Sequence, residues 1–135
     1  PTRQVLIEIG KPYVIENVVG SPLLNPVTLC GSMFGLDVRR HRLFESNFKI
    51  LPPKCNHKLW QPNRYPGGRS RERGGARVLC RGTVEVGRWN IPIQTQQVAM
   101  GITWITDLRK LSESIPPAYT KFIGEQALFL FCHSG

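Results

Sequence analysis

Residues 12–18 read Pro12-Tyr13-Val14-Ile15-Glu16-Asn17-Val18, a short apolar run that ends in a polar pair. The run Tyr13-Val14-Ile15 is aromatic and β-branched without polar alternation, which is typical of a strand buried on both faces of a mainly parallel sheet. Glu16 and Asn17 fall at the carboxyl end of this strand, where ligands bind in open α/β sheets. The stretch therefore predicts an α/β fold with a carboxylate placed for chemistry.

The flanking residues extend the α/β pattern. From Thr2 to Ile9 apolar side chains recur at helical spacing, and Gly10 with Lys11-Pro12 supplies a C-terminal stop with a cation at the negative end of the helix dipole. A helix is therefore predicted before the strand. After it, residues 20–25 read as a loop and Pro26 to Leu29 as a short strand or turn.

A dense cationic cluster, Arg39-Arg40-His41-Arg42, precedes a second predicted strand. From Arg42 to Phe48 polar and apolar side chains alternate, which favours a half-buried strand. If this strand begins near Arg40, Arg40 and Arg42 project from the same face, because side chains in a strand alternate with a period of two.

The middle of the chain, residues 51–91, is rich in proline, glycine and arginine. The whole chain has 18 Lys and Arg against 9 Asp and Glu, a formal charge of +9, which indicates an anionic partner. Charge alone does not separate DNA from RNA or from an acidic protein as that partner. Such a segment suits the phosphates of a nucleic acid, with Trp60 and Tyr65 available to stack, but a solvated loop is a comparable alternative because this composition cannot bury a core. The candidate side chains for DNA binding, if the partner is DNA, are Arg39, Lys54, Lys58, Arg64, Arg69, Arg71, Arg73 and Arg77.

After residue 91 the pattern becomes helical. A short helix is predicted from Pro92 to Gly101, and a second from Leu108 to Ser114, capped by Thr106-Asp107. A third is predicted from Pro117 to Phe131, with one apolar stripe that faces the core. The stripe consists of Tyr119, Phe122, Ile123, Gln126, Ala127 and Leu130.

Several classes of protein are not expected from this sequence. The longest apolar run, Ala127 to Cys132, is far shorter than the roughly 20 residues that a membrane-spanning helix needs. No signal peptide is recognisable, so a soluble protein inside the cell is expected. The first residue is Pro1 and both methionines, Met33 and Met100, are internal, which suggests a processed, truncated or partly recorded chain.

The cysteines show no disulfide or metal-binding pattern. Without a Cys-x-x-Cys pair, reduced thiols and no bound metal are expected. The nearest approach to a ligand pair is Cys55-Asn56-His57, and no second pair completes a tetrahedral site. The four cysteines are Cys30, Cys55, Cys80 and Cys132.

Three separated stretches together resemble the later motifs of the DNA cytosine-5 methyltransferases, in their compact phage and bacterial form. They are Tyr-Val-Ile-Glu-Asn-Val at 13–18, Leu-Cys-Gly-Ser-Met-Phe-Gly-Leu at 29–36 continuing to Arg-His-Arg-Leu-Phe-Glu at 40–45, and Ile-Pro-Pro-Ala-Tyr-Thr at 115–120 followed by Phe-Ile-Gly at 122–124. The resemblance spans nearly the whole chain, and the order of the motifs is more specific than any one of them.

This resemblance implies an α/β fold, the C-terminal half of a Rossmann-like S-adenosylmethionine-dependent methyltransferase sheet with a basic Gly/Pro-rich insertion. Residues 1–50 would then be the later strands of the catalytic domain. Residues 51–91 would contact the DNA target, and residues 92–135 would be C-terminal helices that return to the catalytic domain.

The resemblance also implies catalytic roles for Glu16, Arg40 and Arg42. Glu16 matches the family's carboxylate that binds N3 and the amino group of a flipped cytosine, where charge builds up when a thiolate attacks C6. Arg40 and Arg42 match the two arginines of Gln-x-Arg-x-Arg, Arg42 donating to the cytosine O2 and Arg40 supporting it. Val38 replaces the usual glutamine. The alternatives are an N-cap or ordinary ion pair for Glu16 and phosphate-binding or solvated roles for the arginines.

In the last motif, Pro117, Ala118, Tyr119 and Thr120 would line part of the S-adenosylmethionine pocket, although Tyr119 fits the core equally well. The family's Pro-Cys nucleophile and Gly-rich cofactor loop do not occur in this sequence. The chain alone is therefore expected to be inactive, with double-stranded DNA and possibly a separate N-terminal fragment as partners. A non-catalytic DNA-binding remnant or subunit is the alternative, and an RNA-associated basic protein is a third, supported by charge alone.

Overall fold

A three-stranded sheet contains the strand of residues 12–18. The computed structural model of the chain describes residues 2–55, 61–62 and 82–132. Strands β1 (Val14–Asn17), β2 (Val27–Leu29) and β3 (Arg42–Ser46) lie in the order β1-β3-β2, and both pairs are antiparallel. Elsewhere, a two-residue parallel bridge joins β4 (Gln61–Pro62) to β5 (Gly82–Thr83).

The predicted burial of β1 on both faces of a mainly parallel sheet is wrong for the described part of the chain. Three of the four side chains of β1 are exposed, and its only strand neighbour there is the antiparallel β3. The physical reason is that β1 forms an edge of this sheet, so solvent reaches it. The Rossmann-like arrangement of a larger sheet stays a prediction.

The four helices predicted from sequence all form. Asp107 caps the third of them by accepting a hydrogen bond from the Lys110 backbone N–H at 2.8 Å, as its position before the helix predicts. Within the described residues, no helix combines the length and the apolar character needed to cross a membrane. The helices are α1 (Thr2–Ile9), α2 (Ile93–Met100), α3 (Leu108–Glu113) and α4 (Pro117–Cys132).

Helix α4 covers the face of the sheet from which Phe44 projects. Tyr119 of α4 is fully buried, with ring centroids 6.2 Å from Phe44 and 5.3 Å from Phe34. Leu29 and Ile123 are buried in the same cluster. The predicted apolar stripe of α4 is confirmed in its N-terminal half, which packs against the sheet.

Helix α1 is joined to the opposite face of the sheet through Glu45. Because Glu45 follows Phe44 in β3, the two side chains point to opposite faces. The buried Glu45 carboxylate accepts hydrogen bonds from Arg3 Nε at 2.5 Å and from the Leu24 backbone N–H at 2.7 Å. The hydrogen bond from Arg3 holds the pKa of Glu45 below its usual value, so the carboxylate stays ionised at neutral pH.

A second core lies beside α2 and α3. Its buried side chains include Val38, which stands where the motif that the chain resembles has glutamine, and this position contributes packing. The buried amide of Gln96 accepts from Gly87 N–H at 2.6 Å and donates to the carbonyls of Arg88 and Ile91 at 2.8 and 2.7 Å. The remaining buried members of this core are Val84, Ala99, Met100, Ile102 and Leu111.

A close backbone approach connects the two cores. Gly31 begins a short 3₁₀ helix (Gly31–Phe34), and a Cβ atom at this position would overlap the backbone carbonyl oxygen and the Cγ1 atom of Val38. Only glycine fits there, because a backbone atom cannot move aside by changing rotamer.

We therefore expect Gly31→Ala to lower the free energy of unfolding by about 1–3 kcal/mol, the usual cost of overpacking a filled site. The matched control is Gly124→Ala in α4, where nothing lies within 4 Å of a new Cβ. That change should be neutral or should raise stability by up to about 1 kcal/mol, since alanine favours helix. Urea denaturation measures both variants. Equal stability of the two would show that the approach of Gly31 to Val38 is not tight.

Candidate functional site

Glu16 and Arg42 form an ion pair across two neighbouring strands. Glu16 lies directly opposite Phe44 in the β1–β3 register, and Arg42 precedes Phe44 by two positions, so the three side chains project from the same face. The Nε atom of Arg42 lies 3.1 Å from Oε1 of Glu16. The structure thus brings together two of the three residues that the resemblance assigns to catalysis.

The two side chains differ in their surroundings. The Arg42 side chain is 16% exposed and that of Glu16 is 36% exposed. Arg42 also donates from a terminal nitrogen to the carbonyl oxygen of His41 at 3.0 Å, which restricts its guanidinium. A pair this accessible contributes only about 0–1 kcal/mol to stability. Its carboxylate can accept further hydrogen bonds from a ligand.

Arg40 does not join this pair. Its Nε atom donates to the carbonyl oxygen of Ser114 at 2.7 Å, and a terminal nitrogen donates to the carbonyl oxygen of Ser112. Burial lowers the pKa of Arg40 to about 10, and the neighbouring charge of Arg42 acts in the same direction. Arg40 is still protonated at neutral pH. It ties the backbone beside Arg42 to the connection between α3 and α4.

Tyr119 also binds the backbone of Arg40. Its hydroxyl donates to the carbonyl oxygen of Arg40 at 2.7 Å, and burial of the ring raises the pKa of Tyr119. The Tyr119 side chain therefore belongs to the core, which is one of the two roles the sequence allows for it.

The other three residues of the predicted cofactor segment are more accessible. Pro117 and Ala118 are half-buried, and Thr120 is exposed with its hydroxyl donating to the Pro117 carbonyl oxygen at 3.0 Å. Within this four-residue segment, Pro117, Ala118 and Thr120 have solvent-accessible surface, whereas the ring of Tyr119 is enclosed. The assignment of the segment to the cofactor pocket stays a prediction.

Two of the eight candidate DNA-binding cations lie in the described part of the chain. Arg39 is half-buried next to Arg40, and Lys54 is exposed at the start of the basic segment. Contact of these eight side chains with DNA stays a prediction. The other six cations and the two aromatic residues predicted to stack lie outside the described residues: Lys58, Trp60, Arg64, Tyr65, Arg69, Arg71, Arg73 and Arg77.

The structure also assembles a cluster that the sequence pattern did not predict. The Sγ atoms of Cys30 and Cys55 and one ring nitrogen of His41 all lie within 4.8 Å of one another. The three residues are widely spaced in sequence, so a search for short ligand motifs passes over them. In the candidate pair from sequence, Cys55 with His57, His57 lies outside the described residues.

Comparison of the chain with protein-family models, with curated proteins and with solved structures found no match.

Proposed function

We propose that this chain supplies the cytosine-binding part of a DNA cytosine-5 methyltransferase. The complete enzyme would transfer a methyl group from S-adenosylmethionine to C5 of a cytosine flipped out of double-stranded DNA. The observation that carries the proposal is the 3.1 Å ion pair between Glu16 and Arg42. These residues come from separate motifs, and the sheet register places their side chains on one face.

The pair matches the hydrogen-bonding edge of cytosine. That edge presents an amino donor at C4, an acceptor at N3 and an acceptor at O2. A carboxyl group accepts from the amino group and, when protonated, donates to N3, while an adjacent guanidinium donates to O2. Glu16 beside Arg42 offers these groups in the required order.

The same groups are suited to the chemistry at the ring. When a thiolate attacks C6 of cytosine, negative charge develops on the ring and is shared by N3 and O2. A proton or strong hydrogen bond from Glu16 at N3 stabilises this charge, and the Arg42 guanidinium does so at O2. Arg40 and Tyr119 act one step away, since they hold the backbone next to Arg42. They are positioning residues.

The nucleophilic cysteine and the main cofactor loop would come from a preceding part of the same polypeptide or from a separate N-terminal fragment. S-adenosylmethionine would supply the methyl group there. The edge of β1 that is unpaired within the described residues offers a surface for that part, with an added strand pairing to β1. Val18 and Val19, which follow β1 directly, are 52% and 63% exposed.

The proposal is tested by measuring transfer of labelled methyl groups from S-adenosylmethionine to double-stranded DNA. The chain alone should transfer none, because the sequence holds no Pro-Cys nucleophile. The chain joined to, or mixed with, a polypeptide that carries the nucleophile and the Gly-rich loop should methylate C5 of cytosine. Such an enzyme would act on DNA in the cytoplasm of a bacterium or a phage-infected cell.

Two outcomes would contradict the proposal in different ways. Robust methylation by this chain alone would show that its active site is complete and differently built. Salt-sensitive DNA binding without methylation in any combination would favour the non-catalytic DNA-binding subunit.

A further inference from the structure

Three metal-binding side chains converge on one point of the fold. Cys30 follows β2 and is buried, His41 directly precedes β3, and Cys55 is exposed in the part of the chain that follows the sheet. Their ligand atoms all lie within 4.8 Å of one another. Two thiols and an imidazole are the donor set that zinc prefers over magnesium or calcium.

The distances are close to those of a tetrahedral site. Bond lengths of about 2.3 Å for zinc to sulfur and about 2.0–2.1 Å for zinc to nitrogen give a sulfur–nitrogen edge of about 3.6 Å. The Cys55 Sγ and His41 Nε2 atoms are 3.6 Å apart. No two ligand atoms in the cluster lie more than 4.8 Å apart. Two sulfur atoms bound to one zinc ion are about 3.8 Å apart, so movements of about 1 Å at most would bring the three ligands to zinc-binding distances.

The hydrogen bonds of Cys30 would be rearranged when its thiol binds a metal. Its Sγ atom lies 3.2 Å from the Ser32 hydroxyl, which can donate to a thiolate and so help to orient it. The thiol itself donates to the carbonyl oxygen of Arg39 at 2.8 Å, and metal binding would replace this hydrogen bond, because a thiolate carries no proton to donate. Two thiolates cancel the charge of a divalent ion, so binding adds no net charge beside Arg40 and Arg42.

We propose that Cys30, His41 and Cys55 bind one zinc ion per chain, with water or a further ligand in the fourth position. The thiol protons leave to solvent on binding. The ion would join the end of β2, the start of β3 and the segment that leads into the basic region. Because His41 lies between Arg40 and Arg42, the metal would also steady the site described above. The inference does not depend on the methyltransferase proposal, since it rests on the three ligands alone.

The test is metal binding by the whole chain, purified under reducing conditions and stripped of metal with a chelator. Zinc should then rebind at one equivalent per chain in competition with a chromophoric chelator. Cobalt(II) in its place should give thiolate-to-metal charge-transfer absorption and the visible bands of a tetrahedral ion.

Cys55→Ser is the primary variant, because Cys55 is exposed and its replacement leaves the core intact. Loss of a residue that only hydrogen-bonds to a metal ligand weakens metal binding by roughly 10- to 100-fold. Cys55→Ser removes a ligand itself, so it should weaken zinc binding by more than that. Cys30→Ser should do the same, with circular dichroism to confirm folding. The matched control is Cys132→Ser, an exposed thiol at the end of α4, which should bind zinc as the unaltered chain does.

The proposal is overturned if the unaltered chain binds neither ion at one equivalent, or if Cys55→Ser and Cys132→Ser bind zinc equally well. A Cys30–Cys55 disulfide in the freshly purified chain, detected by mass spectrometry, would overturn it too, since a disulfide removes both thiolate ligands.

Discussion

If the proposed function is correct, replacement of Glu16 by glutamine should lower the turnover of the completed enzyme by about 10²- to 10⁴-fold, the usual contribution of a positioned proton donor. The amide of glutamine keeps the size of the carboxyl group but cannot supply a proton to N3. The measurement is kcat and KM for methyl transfer together with the Kd for DNA. DNA affinity should change little, because phosphate contacts elsewhere provide most of it.

Glu85→Gln is the matched control for this experiment. Glu85 also pairs with an arginine, its Oε2 atom lying 2.5 Å from Arg88 Nε, and its side chain is 39% exposed compared with 36% for Glu16. Loss of an ordinary surface ion pair should leave turnover nearly unchanged. If both variants kept full turnover, Glu16 would be a structural residue and the proposed role in catalysis would be wrong.

The helices could be predicted because their ends are encoded locally. Gly10 at the end of α1 and Gly101 at the end of α2 both have the left-handed backbone that a helix stop of this type requires, and Asp107 caps α3. Such signals act over a few residues, so a single sequence is enough to read them.

The burial pattern was harder to predict, because it depends on contacts between distant segments. Gln96 and Gln97 are buried although glutamine is usually exposed, since their amides satisfy backbone groups of the adjoining loops. Val98, beside them, is 71% exposed. A count of apolar residues in α2 therefore places Val98 in the core by mistake and misses Gln96 and Gln97.

The candidate site, too, could be predicted only where the signal is local in sequence. Alternation along a strand predicts the common face of Arg42 and Phe44, but it cannot predict that Glu16 lies opposite Phe44. The connection between Glu16 and Arg42 was available only through the motif resemblance. The carbonyl partners of Arg40, Ser112 at the end of α3 and Ser114 just after it, have no side-chain pattern that predicts them, so only the structure identifies them.

Tyr119→Ala is expected to lower the free energy of unfolding by about 3–5 kcal/mol, which is typical of removing a buried aromatic ring. The ring is fully buried against Phe34 and Phe44, so its loss leaves a cavity between α4 and the sheet. The total stability of a small domain is only about 5–15 kcal/mol. Urea denaturation of the whole chain should therefore show a large shift of the midpoint, or a chain that no longer folds.

Tyr119→Phe keeps the measurement informative if the alanine variant does not fold. It retains the ring and removes only the hydroxyl that donates to the Arg40 carbonyl at 2.7 Å, which should cost about 1 kcal/mol. Leu128→Ala is the control on the same helix, because Leu128 is 64% exposed and its truncation should change stability by less than about 0.5 kcal/mol.

These variants separate the two roles of Tyr119. If Tyr119 is a core residue, Tyr119→Ala loses the most stability, Tyr119→Phe loses less and Leu128→Ala loses the least. In the proposed complete enzyme, Tyr119→Phe should also lower kcat, because it loosens the backbone beside Arg42. A residue that only lines the cofactor pocket gives a raised KM for S-adenosylmethionine with stability unchanged. Because the hydroxyl of Tyr119 is already bonded to Arg40, the first pattern is the expected one.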